Sequence, residues 1–392
     1  MELFIQSIFV YGFIVLVMTN AGLYTYRHQY PNGFISENNP YNKKSSFIDL
    51  FTKSHFLIPI LVYCFFVTVR EQVGADCESY KQDFYNLLYG YSNRDTIEEG
   101  FTSLIQFTLY FTDKHYLMFL IMGLAQIGAL YYAMRKEGYL LIFFGITLFF
   151  TGTFFSLMNG MRQNITVCIF AAMTPLILNK KYWPWVIPLT IITITMHRSA
   201  LAILPIGILG YICKDIIPNK YIQLAILFVC LLLMDKVDYI LPIELLNLGE
   251  YSGYSEETIE HYAEYSIREK RFGFRSYLLL LSYIIVILYS NKLKAFFNSN
   301  KFNYIYCLFF ARVCIFLLFY NNYVVNRLLF FCDIFIPIVQ AYLLFYLWYN
   351  KSQNNKLIFS SYIFILTVHF LYQLYISVVR IPDEFTLYKF DL

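Results

Sequence analysis

Charge is scarce in this 392-residue chain: Asp, Glu, Lys and Arg together make up 14% of it, against 58% hydrophobic residues and a mean hydropathy of +0.52. A soluble domain needs far more polar surface, so composition excludes that class and leaves an integral membrane protein. The cysteines include no Cys-x-x-Cys pair and no metal-ligand spacing. Cys64, Cys168, Cys213, Cys230, Cys307, Cys314 and Cys332 lie in apolar runs and only Cys77 falls in a polar loop, which excludes a disulfide framework and a zinc site. Internal repeats, low-complexity tracts and a separate soluble domain are missing too, so residues 1–392 read as a single transmembrane domain. The opening MELFIQSIFVYGFIVLV lacks the basic start of a signal peptide and its apolar run is too long for one, so it reads as a retained first span. The most informative absence is local. No acidic residue lies between Asn159 and Pro205, a stretch that carries Arg162, His197 and Arg198.

Present instead are apolar windows of helical length, at 3–26, 55–69, 115–134, 139–157, 161–178, 183–196, 199–213, 221–234, 276–290, 302–320, 324–349 and 357–377. They predict an all-α polytopic membrane protein of about 12 transmembrane helices. With alternating sides, the connections 27–54, 135–138, 179–182, 214–220, 291–301 and 350–356 fall on one face and carry fifteen Lys/Arg against four Asp/Glu. The other face carries fourteen against twenty-one. Lysine and arginine in short loops mark the cytoplasmic side, so both termini are expected outside. The net charge of +4 arises in these loops and reports orientation, not a nucleic-acid partner. Forty Phe and thirty-seven Tyr suit lipid-facing spans and membrane interfaces.

Residues 183–213 could form one long helix, but merging them would reverse every later loop and expel Lys292, Lys294, Lys301, Lys351 and Lys356 to the outside. The charge pattern therefore predicts a broken pair whose His197-Arg198 turn lies below the outer surface. Non-helical backbone at that depth requires surrounding protein or a water-filled cavity. Two long outer loops, about 70–114 and 235–275, are expected to cap this cavity, and the part of the first that reads TIEEGFTSLIQF is amphipathic enough to lie along the interface.

Charged groups at or within the spans are costly and mark function or pairing. Arg312 and Asp333 flank the Asn321-Asn322-Tyr323 turn at matched depth and are expected to form a structural ion pair. Arg70, Arg162, Arg198 and Arg327 come from four spans at one predicted level. Each alone would serve as an interfacial anchor, but together their planar guanidinium groups match phosphate oxygens, with Gln163 adding a hydrogen bond. A pyrophosphate is the expected ligand. Asp76, Glu99 and His197 are the candidate acid–base or hydroxyl-accepting groups, His197 being favoured as base because it shares the turn with Arg198. Arg268, Lys270, Arg271 and Arg275 are balanced by nearby acids and read as a solvated charged face.

Arg70, Gly74-Ala75-Asp76, Tyr80 and Phe84, then Glu98-Glu99-Gly100-Phe101, Met161-Arg162-Gln163, His197-Arg198-Ser199-Ala200 before a proline, and Asn326 to Phe331 form an ordered series. That series resembles the EpsG family of Wzy-like O-antigen, capsule or exopolysaccharide polymerases, whose usual Gly-x-Asp appears here as Gly74-Ala75-Asp76. The resemblance implies a GT-C-like glycosyltransferase of the bacterial inner membrane, without metal or other cofactor. It would move a glycan from undecaprenyl pyrophosphate to a sugar hydroxyl of another lipid-linked repeat unit on the extracytoplasmic side. A flippase and a chain-length regulator would be its partners. Arg70, Arg162, Gln163, Arg198 and Arg327 would hold pyrophosphate, His197 or Asp76 would be the base, and Glu99 would orient a sugar. The competing classes are a lipid-linked oligosaccharide flippase or other twelve-span transporter, a membrane O-acyltransferase and an O-antigen-ligase-like transferase. A transporter would place its site at the midplane between repeated halves, whereas here the charges crowd the outer level and no half-repeat is present.

Overall fold

The fold is given by a computed structural model that describes residues 2–31, 33–34, 47–71, 73–74, 76–91, 97–216, 219–234, 236, 272–320, 325, 329–379 and 386–391. Among them there are helices throughout and no strand beyond one antiparallel bridge between Arg70 and Phe390. We number the helices α1 (Glu2–Gln29), α2 (Asp49–Thr52), α3 (Ser54–Thr68), α4 (Cys77–Leu88), α5 (Glu99–Leu109), α6 (Tyr116–Met134), α7 (Gly138–Phe150), α8 (Thr153–Met158), α9 (Met161–Ile177), α10 (Trp183–Met196), α11 (Ile203–Cys213), α12 (Lys220–Leu233), α13 (Phe274–Phe297), α14 (Asn300–Leu318), α15 (Phe335–Tyr349) and α16 (Gln353–Val379). All twelve apolar windows lie on helix, although the start of the 324–349 window lies largely outside the described residues.

Six helical segments are long and apolar enough to cross a bilayer: α1, α6, α13, α14, the segment ending with α15, and α16. The chain is an all-α, multi-pass membrane protein. Burial separates their roles, because 83% of the apolar window ending with α15 is inside the protein against 28% of that in α1. Helix α7 lies between α1 and α15 and buries nearly every side chain, while α1 turns Phe9, Phe13 and Leu16 outward and α10 does the same with Trp185, Ile187, Ile191 and Ile192. Rings facing outward from apolar helices fit lipid.

Two spans are broken. The window 139–157 is not one helix: it stops at Phe150 and resumes at Thr153, around Gly152 with φ 81°. The stretch 183–213 breaks at His197, whose extended backbone (φ −161°, ψ 124°) separates α10 from a short 3-10 turn, Arg198–Ala202, that leads into α11.

Polar contacts sort the connections into two ends. At one end Gln29 donates to the Arg135 carbonyl at 2.7 Å and accepts from the Gly138 amide at 2.8 Å, while Lys301 donates to the Ala133 carbonyl at 2.7 Å and pairs with Glu137. Tyr349 also donates to the Phe34 carbonyl there, at 2.6 Å. These contacts join connections expected to share the lysine-rich face. At the opposite end the final described segment, 386–391, is tied to the start of α1 by the Tyr388 amide on Ser7 Oγ (2.7 Å) and by Tyr11 on the Thr386 carbonyl (2.7 Å). Between α14 and the 3-10 turn Leu329–Cys332 that leads into α15, Arg312 and Asp333 form an ion pair. The turn at 321–323, most of the outer loop 235–275 and the Arg268, Lys270 and Arg271 cluster lie outside the described residues, whereas Arg275 lies in the first turn of α13.

Candidate active site

The site gathers at the end opposite the lysine-rich connections, where four chain segments converge. Its floor is the turn between α8 and α9. Asn164 holds that turn by donating to the carbonyls of Ser156 (2.6 Å), Asn159 (2.7 Å) and Gly160 (3.0 Å). One amide side chain thereby satisfies the carbonyls that a helix end leaves without partners. Gly74 packs onto the same turn with φ +94°, and a Cβ there would lie 2.2 Å from the Met158 carbonyl oxygen. Only glycine permits both that backbone angle and that approach.

Close packing at Gly74 delivers Asp76. An aspartate immediately before a helix would ordinarily cap it, but this side chain makes no bond to its own helix α4. Asp76 Oδ2 instead accepts the Gly160 amide at 2.9 Å, and the Asp76 amide donates to Asn159 Oδ1 at 3.3 Å. The carboxylate thus sits just before the first turn of α9, where the helix dipole favours negative charge. Tyr80, one turn further along α4, is buried beside it; burial and then the Asp76 charge push its phenol well above the usual range.

Arg162 leaves the first turn of α9 and donates to Glu98 Oε2 at 2.6 Å. Its guanidinium lies 5.2 Å from the Phe101 ring centroid and 5.8 Å from that of Tyr80. The other Glu98 oxygen, Oε1, accepts the Arg198 amide at 3.2 Å, so one carboxylate ties together the RQ and HRS stretches, which contain no acid of their own. Helix α5 reaches this position because Gly100 lies against α10, where a Cβ would meet the Thr195 carbonyl oxygen at 2.5 Å.

A second link joins the same stretches. Gln163 Nε2 donates to Ser199 Oγ at 3.2 Å, and Ser199 Oγ lies 2.7 Å from His197 Nδ1, which also receives the Ser199 amide at 3.4 Å. Read in order, the amide donates to the hydroxyl and the hydroxyl to the imidazole, which leaves the proton of neutral His197 on Nε2. Such a histidine is arranged to donate from Nε2 rather than to accept there.

The expected site residues therefore divide. Asp76, Arg162, Gln163, His197 and Arg198 come together, with the Arg198 side chain exposed. Arg70 stands behind them: 1% exposed, it donates to the sulfurs of Met158 and Met161, both at 2.8 Å, and lies 4.9 Å from the Phe119 ring. Its guanidinium thus packs against the two methionines that flank the α8–α9 turn, with Nε buried and making no hydrogen bond. Glu99 is exposed on the first turn of α5, and Arg327 lies outside the described residues. Glu98 was not singled out from sequence; the available signal was its place beside Glu99 in the EEGF motif.

The model of the EpsG family matches residues 53–390, which contain every residue of this site. The chain belongs to the EpsG family. EpsG is a Wzy-like polysaccharide polymerase family, and the match covers most of the chain. No curated protein and no solved structure matches it. The geometry accounts for the company these motifs keep: residues a hundred positions apart, Glu98 and Arg198, share one hydrogen bond.

Proposed function

We propose that this EpsG-family protein is a polysaccharide polymerase that crosses the bacterial inner membrane twelve times and transfers glycans on its extracytoplasmic face. The donor is a glycan on undecaprenyl pyrophosphate, and the acceptor is a sugar hydroxyl of a second lipid-linked repeat unit. The observation that carries this reading is the convergence of Arg162 and the Arg198 turn on one carboxylate beside Asp76. Groups that bind both oxygens of one anion are suited to a leaving diphosphate.

Asp76 is the base in this scheme. Its Oδ2 is held by the Gly160 amide, which orients the carboxylate without neutralising it. The acceptor hydroxyl gives its proton to Asp76 as its oxygen bonds the anomeric carbon. The bond from that carbon to the diphosphate breaks on the opposite face, inverting the centre, and its electron pair departs with the diphosphate. Arg162 and Arg198 balance the charge that develops, and His197 donates from Nε2 to a phosphate oxygen. Guanidinium groups supply the stabilisation without a metal, and one base suffices for inversion. Glu99 is left to orient a sugar, and Arg327, within the matched span, is a further diphosphate contact.

The test is a producing strain deleted for this chain and complemented with Arg162→Ala or Arg198→Ala. Surface glycan limited to single repeat units is expected from each. Full-length polymer in normal amount from both would overturn the assignment, and absence of any surface repeat would favour a flippase instead.

A further inference from the structure

We propose that Glu98 is an internal stand-in for the substrate's diphosphate: it engages the anion site itself and is displaced when the lipid-linked substrate binds. This rests on the polymerase reading above and adds to it the group with which the substrate must compete. The Glu98 side chain is nine-tenths buried, and both of its oxygens are engaged, Oε2 by Arg162 Nη1 at 2.6 Å and Oε1 by the Arg198 amide at 3.2 Å. Neither bond is made to α5, the helix that Glu98 precedes; its backbone is extended (φ −72°, ψ 145°) and its side chain does not cap that helix. The carboxylate therefore directs one bond from each oxygen to the two motifs that a diphosphate would need.

Charge explains why such a group is kept. Arg162 is largely buried, its Nε has no hydrogen-bond partner, and two aromatic rings flank it. An uncompensated guanidinium there would be costly, so Arg162 needs an anion at all times. A bound diphosphate brings at least two negative charges to the same donors, and like charges at contact distance in a partly buried site repel strongly. Glu98 and the diphosphate therefore exclude each other. Displacement breaks the link that Glu98 provides between the start of α5 and the Arg198 turn, so occupancy is read out as loosening of α5 where it meets α10. It also sets affinity: the substrate's gain at Arg162 and Arg198 is reduced by what Glu98 already makes there.

Full-length protein in phosphatidylcholine nanodiscs, titrated with inorganic pyrophosphate by calorimetry, tests this. Glu98→Gln keeps the shape and removes the charge, and it is expected to bind pyrophosphate at least about tenfold more tightly than wild type, while Glu98→Gln with Arg162→Ala loses binding. Wild-type binding that Glu98→Gln leaves equal or weakens would overturn the stand-in and leave the diphosphate site intact. Binding by neither form would overturn both. Hydrogen exchange on the wild type covers the case in which the variant does not fold. Saturating pyrophosphate should speed exchange in the first turn of α5 about fivefold, and unchanged or slower exchange there would also overturn the proposal. A purely structural ion pair predicts neither tighter binding in Glu98→Gln nor faster exchange.

Discussion

Asp76 reaches across 84 positions of sequence to accept the Gly160 amide at 2.9 Å, and that bond joins the start of α4 to the turn that launches Arg162 and Gln163. One carboxylate serves two purposes, since it fixes the turn and, in the proposed mechanism, takes the acceptor's proton. Asn at this position can still accept the amide proton through its carbonyl oxygen but is no base. Asp76→Asn is expected to retain the wild-type melting temperature within a few degrees and to lose polymerisation at least about a hundredfold, in the range of general-base loss. Asp76→Ala should lose both. Polymer synthesis by Asp76→Asn near the wild-type level would remove Asp76 from the chemistry.

Gly74 and Gly90 both adopt positive φ, at 94° and 74°, but only Gly74 has a neighbour that leaves no room for a Cβ. Gly90→Ala should cost only the conformational strain, roughly 1–2 kcal/mol. Gly74→Ala adds a clash with the Met158 backbone and should cost several kcal/mol or prevent folding. Thermal unfolding of the two variants in detergent, side by side, checks the difference; equal losses would place the α8–α9 turn away from Gly74.

Much of this was legible because apolar runs and loop charge are local properties. All twelve windows carry helix, and the break at His197 was expected from the pattern of lysines in the loops. The break at Gly152 was not legible: an apolar run looks the same whether or not a glycine in it adopts positive φ. Arg70 and Glu98 were less legible for a different reason. A charge in a sequence has a depth but no direction, so Arg70 counted with the other arginines although it turns into the core under the α8–α9 turn. Glu98 and Glu99 are adjacent, and only the phase of α5 decides which carboxylate faces Arg162. The packing of Gly100 on Thr195 sets that phase, and it is a tertiary contact.

Arg312 and Asp333 pair between α14 and the turn leading into α15, at a depth where a lone charge is far more costly than a pair. Asp333→Asn or Arg312→Met alone is expected to destabilise by roughly 3–5 kcal/mol. Arg312→Met combined with Asp333→Leu should recover most of that loss, and the double variant should still make polymer of normal length. Recovery of stability without recovery of polymer would assign the pair a part in the reaction.

The final described segment also bears on the site, because it holds the chain just before Asp76. The Glu71 amide donates to the Lys389 carbonyl at 2.8 Å and the Asp391 amide to the Val69 carbonyl at 2.7 Å. Asp391 in turn is bound by Lys81 at 2.9 Å and by His115 Nε2 at 3.1 Å, while His115 Nδ1 meets the Tyr85 hydroxyl at 3.1 Å. Burial first, then the Lys81 charge, lowers the His115 imidazole below its usual 6.5, against the opposing pull of Asp391 and Glu78. Burial raises the Asp391 carboxyl, but the bonds and charges of Lys81 and His115 outweigh it and leave the carboxyl below its usual 3.8. A histidine with a depressed folded pKa binds its proton more readily once unfolded, so its contribution is complete above pH 6.5 and is lost as pH falls from there toward the folded value. Asp391 acts in the same sense at lower pH, its contribution being lost below 3.8. Lys81, raised by Asp391, Cys77 and Glu78 against burial, loses its share only above its usual 10.5. Hydrogen exchange at the amides of 388–391, corrected for intrinsic rates, should therefore rise between pH 7 and pH 5 in the wild type. His115→Gln, which has no proton to gain, should flatten that rise; the same rise in both proteins would assign the acid sensitivity to another group.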